Sequence, residues 1–263
     1  MAPVSYFALP MLFDRRRIAF TIAAFSFLGI GILQLYSKQI LIGRPPFTGT
    51  GEWYDTLLAL TVGVLLISCG ILSLMQRPVS IVAIITAAFV ISYCVLPNLW
   101  FVVNGDTGIA LTGFGKGASL AAGLLVLTTA SPSQWETRRR KIIIQVCRYA
   151  LGFFLAASGI QHFLFGPFVM TLIPAWIPGP EFWTYTAGVL LVLIGLCLMS
   201  GIKQKIALQF GALMIFSWVL IIHIPRAFFT VRNINELTSL FEAVAFASLL
   251  FILSRADFVE EPK

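Results

Sequence analysis

The chain has 263 residues, of which 59% are hydrophobic and 11% charged, with 23 phenylalanines; a soluble domain carries about 25% charge, so a water-exposed globule is excluded. The formal charge of +7 does not mark a nucleic-acid surface, because Arg15 to Arg17, Arg138 to Lys141 and Arg148 gather much of it into two short runs of the kind that anchor membrane topology. The composition predicts an all-α integral membrane protein with the lipid bilayer as its first partner and no nucleic acid among the others.

In chain order, the first apolar run is Ile18 to Tyr36, long enough for a hydrocarbon core of ~30 Å. It ends without a small-x-small cleavage site and is read as a retained helix rather than a signal peptide. Ser37 to Asp55, with Pro45-Pro46 and three glycines, is read as a loop. Further runs of membrane length are Thr56–Met75, Val79–Leu96, Ile109–Ala130, Ile142–Phe165, Trp183–Ser200, Ile206–Ile224 and Leu237–Ser254, which makes eight transmembrane helices. With both termini inside, the inner connections hold Arg77, Arg138 to Lys141, Lys203 and Lys205, and the tail holds Arg255 and Lys263. The outer ones hold Lys38, Arg44, Arg226 and Arg232. That excess predicts cytoplasmic termini and location in the cell's inner membrane. Cys69, Cys94, Cys147 and Cys197 all fall in apolar runs without a Cys-x-x-Cys, so they are read as packing residues, and no metal site is expected.

The runs also pair off at offsets of 125 to 130, a register that drifts only by small differences in the loops. Gln34 and Gln161 close helices one and five, 127 positions apart; Trp53 and Trp183 open helices two and six, 130 apart. Gly63 and Gly70 match Gly188 and Gly195 at an offset of 125, and Pro97 and Pro225, 128 apart, are expected to end helices three and seven. The series predicts two four-helix repeats, residues 1–137 and 138–263, inserted in the same direction about an axis along the membrane normal. Glycines seven apart return to one helix face, where small residues let backbones approach; Gly113, Gly117 and Ala121 form a similar stripe in helix four.

The ionisable residues gather in the second half. His162 closes helix five, Glu181 opens helix six, His223 and Arg226 close helix seven, and Glu242 lies within helix eight, all toward the outer surface. The matching positions of the first half hold Leu35, Gly51 or Glu52, Val95, Asn98 and Ser119. A carboxylate inside a membrane helix costs roughly 2.5–3.5 kcal/mol on insertion scales. Glu242 is therefore either a functional group or half of an interhelical pair, with Arg226 or Lys116 as its partner. The histidines are either proton-exchanging groups or interfacial residues bonded to carbonyls. Arg226 either orients a ligand or snorkels to headgroups, and Asn235 is read as the cap of helix eight. The link from Phe165 to Pro180 is too apolar for a free loop and too rich in proline for a straight helix. It reads as an interfacial lid or plug anchored by Trp176 and Trp183.

Gly159-Ile-Gln-His-Phe-Leu, the Ile173-Pro-Ala-Trp-Ile-Pro-Gly-Pro link, Trp183-Thr-Tyr with Gly188 and Gly195, and His223-Ile-Pro-Arg followed by Asn235-Glu-Leu-Thr-Ser-Leu-Phe-Glu242 resemble the DoxX-like family of small four-helix membrane proteins. The resemblance covers the second half directly and the first half through the repeat. It implies quinone-linked electron transfer, since some relatives are subunits of a thiosulfate:quinone oxidoreductase. The chain has no haem-ligand pattern, cysteine-rich cluster motif or dinucleotide fingerprint. A redox role would therefore need a membrane or soluble partner subunit, with no intrinsic cofactor and a quinone as substrate or ligand. On that reading His162 and Glu242 handle protons, His223 and Arg226 orient carbonyl or phenolate oxygens, and Glu181, Trp176 and Trp183 flank the ligand. The competing classes are a small-solute or ion transporter and a non-catalytic scaffold.

Overall fold

Every apolar run becomes a helix, because a backbone in lipid must satisfy its hydrogen bonds internally. The computed structural model describes residues 15–43, 53–130, 137–230 and 233–256, and eight of its helices are long and apolar enough to cross a membrane. No strand occurs among the described residues. The readings made on Arg44, Pro45, Glu52, Arg232 and Lys263 lie outside them.

The first span is α1 (Arg15–Ser37) and the second α2 (Trp53–Leu74). The third, Ser80–Val103, comprises α3 (Ser80–Val90), a π-turn at Ile91–Val95 and α4 (Leu96–Val103). Then come α5 (Ile109–Leu127), α6 (Thr137–Leu164), a short α7 (Gly166–Met170) and α8 (Pro180–Ser200). The seventh span, Gln204–Phe229, begins as α9 (Gln204–Trp218) and continues through a π-turn at Val219–His223; α10 (Ile234–Ser254) is the eighth. Each span packs on its neighbours in the chain, α10 closes on α1, and α5 meets α10 across the centre.

Small residues set the closest approaches. A β-carbon at Gly31 would stand 2.8 Å from the Gly63 carbonyl oxygen, and one at Gly159 would stand 2.6 Å from that of Gly188. Gly70 lies as tightly against Ala24 of α1, and Gly195 against Gly152 and Ala156 of α6. The α5 stripe works likewise: Gly113 and Gly117 face Asn98 and Cys94 of the third span. Cys69, Cys94 and Cys147 are buried free thiols and Cys197 is half-buried.

Two sequence expectations fail. Pro97 and Pro225 do not end helices three and seven; both spans run on through them to Val103 and Phe229. A proline ring would clash with the carbonyl four residues earlier, but here each proline follows a π-turn. In those turns the Leu96 N–H donates to the Ile91 carbonyl and the Ile224 N–H to the Val219 carbonyl, a five-residue spacing that widens the helix where the ring must fit. The cap of α10 is Asn233 rather than Asn235: its side-chain oxygen accepts from the Glu236 N–H at 2.9 Å, and only a residue three positions earlier reaches that donor.

Candidate functional site

Where α5 crosses α10, Lys116 and Glu242 form an ion pair. Lys116 stands in a glycine-rich stretch whose small neighbours leave its long side chain room, and Glu242 lies eight residues into α10, about 12 Å along the axis at ~1.5 Å per residue. Lys116 Nζ donates to Glu242 Oε2 at 2.6 Å, with the two side chains 25% and 3% exposed. Of the two partners open to Glu242, the structure selects Lys116.

Arg226 is engaged elsewhere. Its Nε and Nη2 donate to the two carboxylate oxygens of Glu236, at 3.0 and 2.8 Å, a fork that ties the end of the seventh span to the first turn of α10. His223 ends the π-turn Val219–His223, three residues before Arg226 on the same span. Its Nδ1 is buried and has no hydrogen-bond partner among the described residues. Cys94 faces α5, where its Sγ donates to the Gly113 carbonyl at 3.6 Å. Beside it Asn98 donates from Nδ2 to the Cys94 carbonyl at 2.8 Å, and leaves its own buried Oδ1 without a partner. Ser119 Oγ, one turn along α5 from Lys116, is likewise buried and unpartnered.

The remaining residues singled out in the sequence stand apart from this group. His162 Nδ1 donates to the Ser158 carbonyl at 2.7 Å, and its ring stacks on Trp218 with centroids 6.4 Å apart. Trp218 immediately precedes the π-turn that carries His223, so His162 touches the support of the cluster; no contact joins its side chain to Glu242, His223 or Arg226 among the described residues. Glu181 is exposed in the first turn of α8. Trp176 and Trp183 are exposed, and the Trp183 Nε1–H donates to the Pro178 carbonyl at 3.2 Å, closing the proline-rich link on the start of α8. The link itself folds as α7 and a series of turns.

Sequence reasoning gave Gln161 no chemical role, yet it joins the halves. Its Nε2 donates to the Thr107 and Gly108 carbonyls at 2.7 and 2.9 Å, and its Oε1 accepts from Thr112 Oγ1 at 2.9 Å. A glutamine closing a membrane helix signals an acceptor to be satisfied nearby, but no sequence spacing names the partner.

On either side of His223 in the chain, Val219 and Ile224 join Ile22, Phe25, Phe228 and Phe241 in lining an apolar groove of about 330 Å³ between α1, the seventh span and α10. That volume is at the lower end for small-molecule sites. No group of three or more His, Cys, Asp or Glu side chains able to hold a metal occurs among the described residues. Chemically, the cluster offers two compensated charge pairs and one imidazole nitrogen without a partner, able to donate to or accept from a polar oxygen. Compared with protein-family models, curated proteins and solved structures, the chain finds no match.

Proposed function

We propose that this integral membrane protein binds a lipid-soluble molecule with a polar head, a quinone or one of like character, against His223, as the membrane subunit of a redox assembly. The observation that carries the reading is the buried His223 Nδ1 without a partner. A buried polar atom left unsatisfied costs about 1–3 kcal/mol, and a carbonyl or phenol oxygen on a ligand would complete it. The groove beside Val219 and Ile224 suits an apolar ring or tail entering from the bilayer. His162 is a positioning residue on this reading, holding Trp218 and through it the turn that presents His223. Electrons would come from a partner subunit, consistent with the DoxX-like resemblance. The test is binding of decylubiquinone to the purified protein in nanodiscs. Saturable binding that weakens about tenfold (~1.4 kcal/mol) in His223→Leu is expected; binding no greater than lipid partitioning, or equal in the variant, refutes the reading.

One observation favours a second reading, a scaffold: both carboxylates of the cluster are engaged, Glu242 by Lys116 and Glu236 by Arg226. A stable protein that binds no quinone, with the charge pairs governing its melting, would assign the cluster to packing.

We also propose that residues 1–137 and 138–263 are copies of one unit. The π-turns at Ile91–Val95 and Val219–His223 lie 128 positions apart, and the Gly31–Gly63 contact of α1 with α2 has its counterpart in Gly159–Gly188 of α6 with α8. Lys116 and Glu242 are separated by 126 residues, within the 125–130 range of the other offsets, so on this proposal Lys116, and not Ser119 at an offset of 123, is the counterpart of Glu242.

A further inference from the structure

At the opposite end of the bundle, the turn from α8 to α9 gathers positive charge with no carboxylate paired to it among the described residues. Arg148 of α6 is 7% exposed and donates from Nη1 to Gln204 Oε1, the first residue of α9, while its buried Nε has no partner. Its guanidinium also lies 3.6 Å from the position of a β-carbon on Gly201. Lys203, the N-cap of α9, contributes no side-chain cap, and the first helical bond runs from the Ala207 N–H to the Lys203 carbonyl. The N–H groups of Gln204, Lys205 and Ile206 therefore have no helical acceptor. Arg140, eight residues earlier on α6 and about 12 Å along its axis, also has a buried Nε without a partner among the described residues. No carboxylate pairs with Arg140, Arg148, Lys203 or Lys205 among the described residues.

A buried guanidinium and two exposed lysines at the positive end of a helix dipole repel one another and the dipole, and an anion between them would relieve that repulsion. Free N–H groups at a helix start, with an arginine fork beside them, are the donor set that recognises phosphate. The position suits a lipid headgroup, since exposed apolar side chains flank it on all three helices, Val146 on α6, Met199 on α8 and Ile206 on α9. We propose that Arg148, Arg140 and the first turn of α9 form a phosphate site, occupied by the headgroup of an anionic phospholipid or by free phosphate. This site is independent of the one at His223.

The test is native mass spectrometry of the full chain released from detergent micelles containing phosphatidylglycerol or phosphatidylcholine, with and without millimolar inorganic phosphate. The wild type is expected to retain phosphatidylglycerol about tenfold better than phosphatidylcholine, and Arg148→Gln to lose that preference. Arg138→Gln, an exposed neighbour, should keep it. Where Arg148→Gln yields no folded protein, the exposed pair Lys203→Gln with Lys205→Gln serves instead and should reduce retention several-fold. Retained lipid that phosphate does not displace assigns the site to a headgroup; bound phosphate without lipid preference assigns it to the free anion. Equal retention of both lipids with no bound phosphate, or equal losses from Arg138→Gln and Arg148→Gln, overturns the proposal.

Discussion

Removing one member of the Lys116–Glu242 pair should harm the fold more than removing both, and the two single changes should differ. At 2.6 Å and an effective dielectric of about 20, the attraction is roughly 6 kcal/mol, most of it offset by desolvation of the charges. Breaking a buried pair typically costs ~3–5 kcal/mol, because the survivor is left uncompensated. The two survivors are not alike. After Glu242→Leu the lysine, a quarter exposed, retains a path to polar surroundings, which sets that variant near the lower figure. After Lys116→Met the carboxylate, 3% exposed, has none, which sets it near the upper. With ~2–4 °C per kcal/mol for a chain of this size, the melting temperature should fall by about 6–12 °C and about 10–20 °C respectively. The double variant replaces the pair with apolar side chains of similar bulk and should melt close to the wild type. Reaction of a thiol-specific fluorophore with Cys69, Cys94 and Cys147, buried in the fold, follows unfolding in detergent. A double variant as unstable as the worse single one, or Glu242→Leu more damaging than Lys116→Met, would refute the assignment.

Gly195→Ala brings a β-carbon to within 2.5 Å of the Gly152 carbonyl oxygen, backbone that cannot yield, and should destabilise by about 3 kcal/mol; Gly211→Ala, whose nearest atom is a side-chain methyl at 3.3 Å, should melt as the wild type does. Glu236→Gln breaks the fork to Arg226, whose groups are 20% and 17% exposed, so a loss of about 1–2 kcal/mol is expected, seen as a lower melting temperature. Single cysteines at Pro180 and Asn233 should react with an impermeant thiol reagent applied to intact cells, and those at Thr137 and Gln204 should not; the opposite pattern would invert the topology.

Hydropathy alone located the eight helices, because the bilayer demands length and apolarity and little else. The ends were less legible where a proline intervened: Pro97 and Pro225 looked like stops, and only the π-turns before them let the helices continue. No residue preference announces a π-turn. The polar residues were legible as residues but not as partners. Glu242 and Arg226 share a region of the sequence, yet Glu236 is the acid that the arginine fork can reach, ten positions away across a turn. Lys116, Arg148 and Gln161 carry interactions set by helix crossings, and crossings follow from which faces pack, information that hydropathy averages away.

The duplication proposed above gives the central pair a physical reason. Two identical four-helix units related by a two-fold axis would present the same side chain from each copy where their fourth helices meet. A lysine there would face a lysine and a glutamate a glutamate, like charges repelling in a poorly screened interior. Once the unit is duplicated, the two positions are free to diverge, one to Lys116 and the other to Glu242, so that repulsion becomes an ion pair. The same divergence explains why His223 and Arg226 stand opposite Val95 and Asn98 rather than copies of themselves. On the proposed duplication the asymmetry of the polar cluster and the pairing of opposite charges at the bundle's centre would share one origin, the divergence of the two copies, with which the offset of 126 between the paired residues agrees.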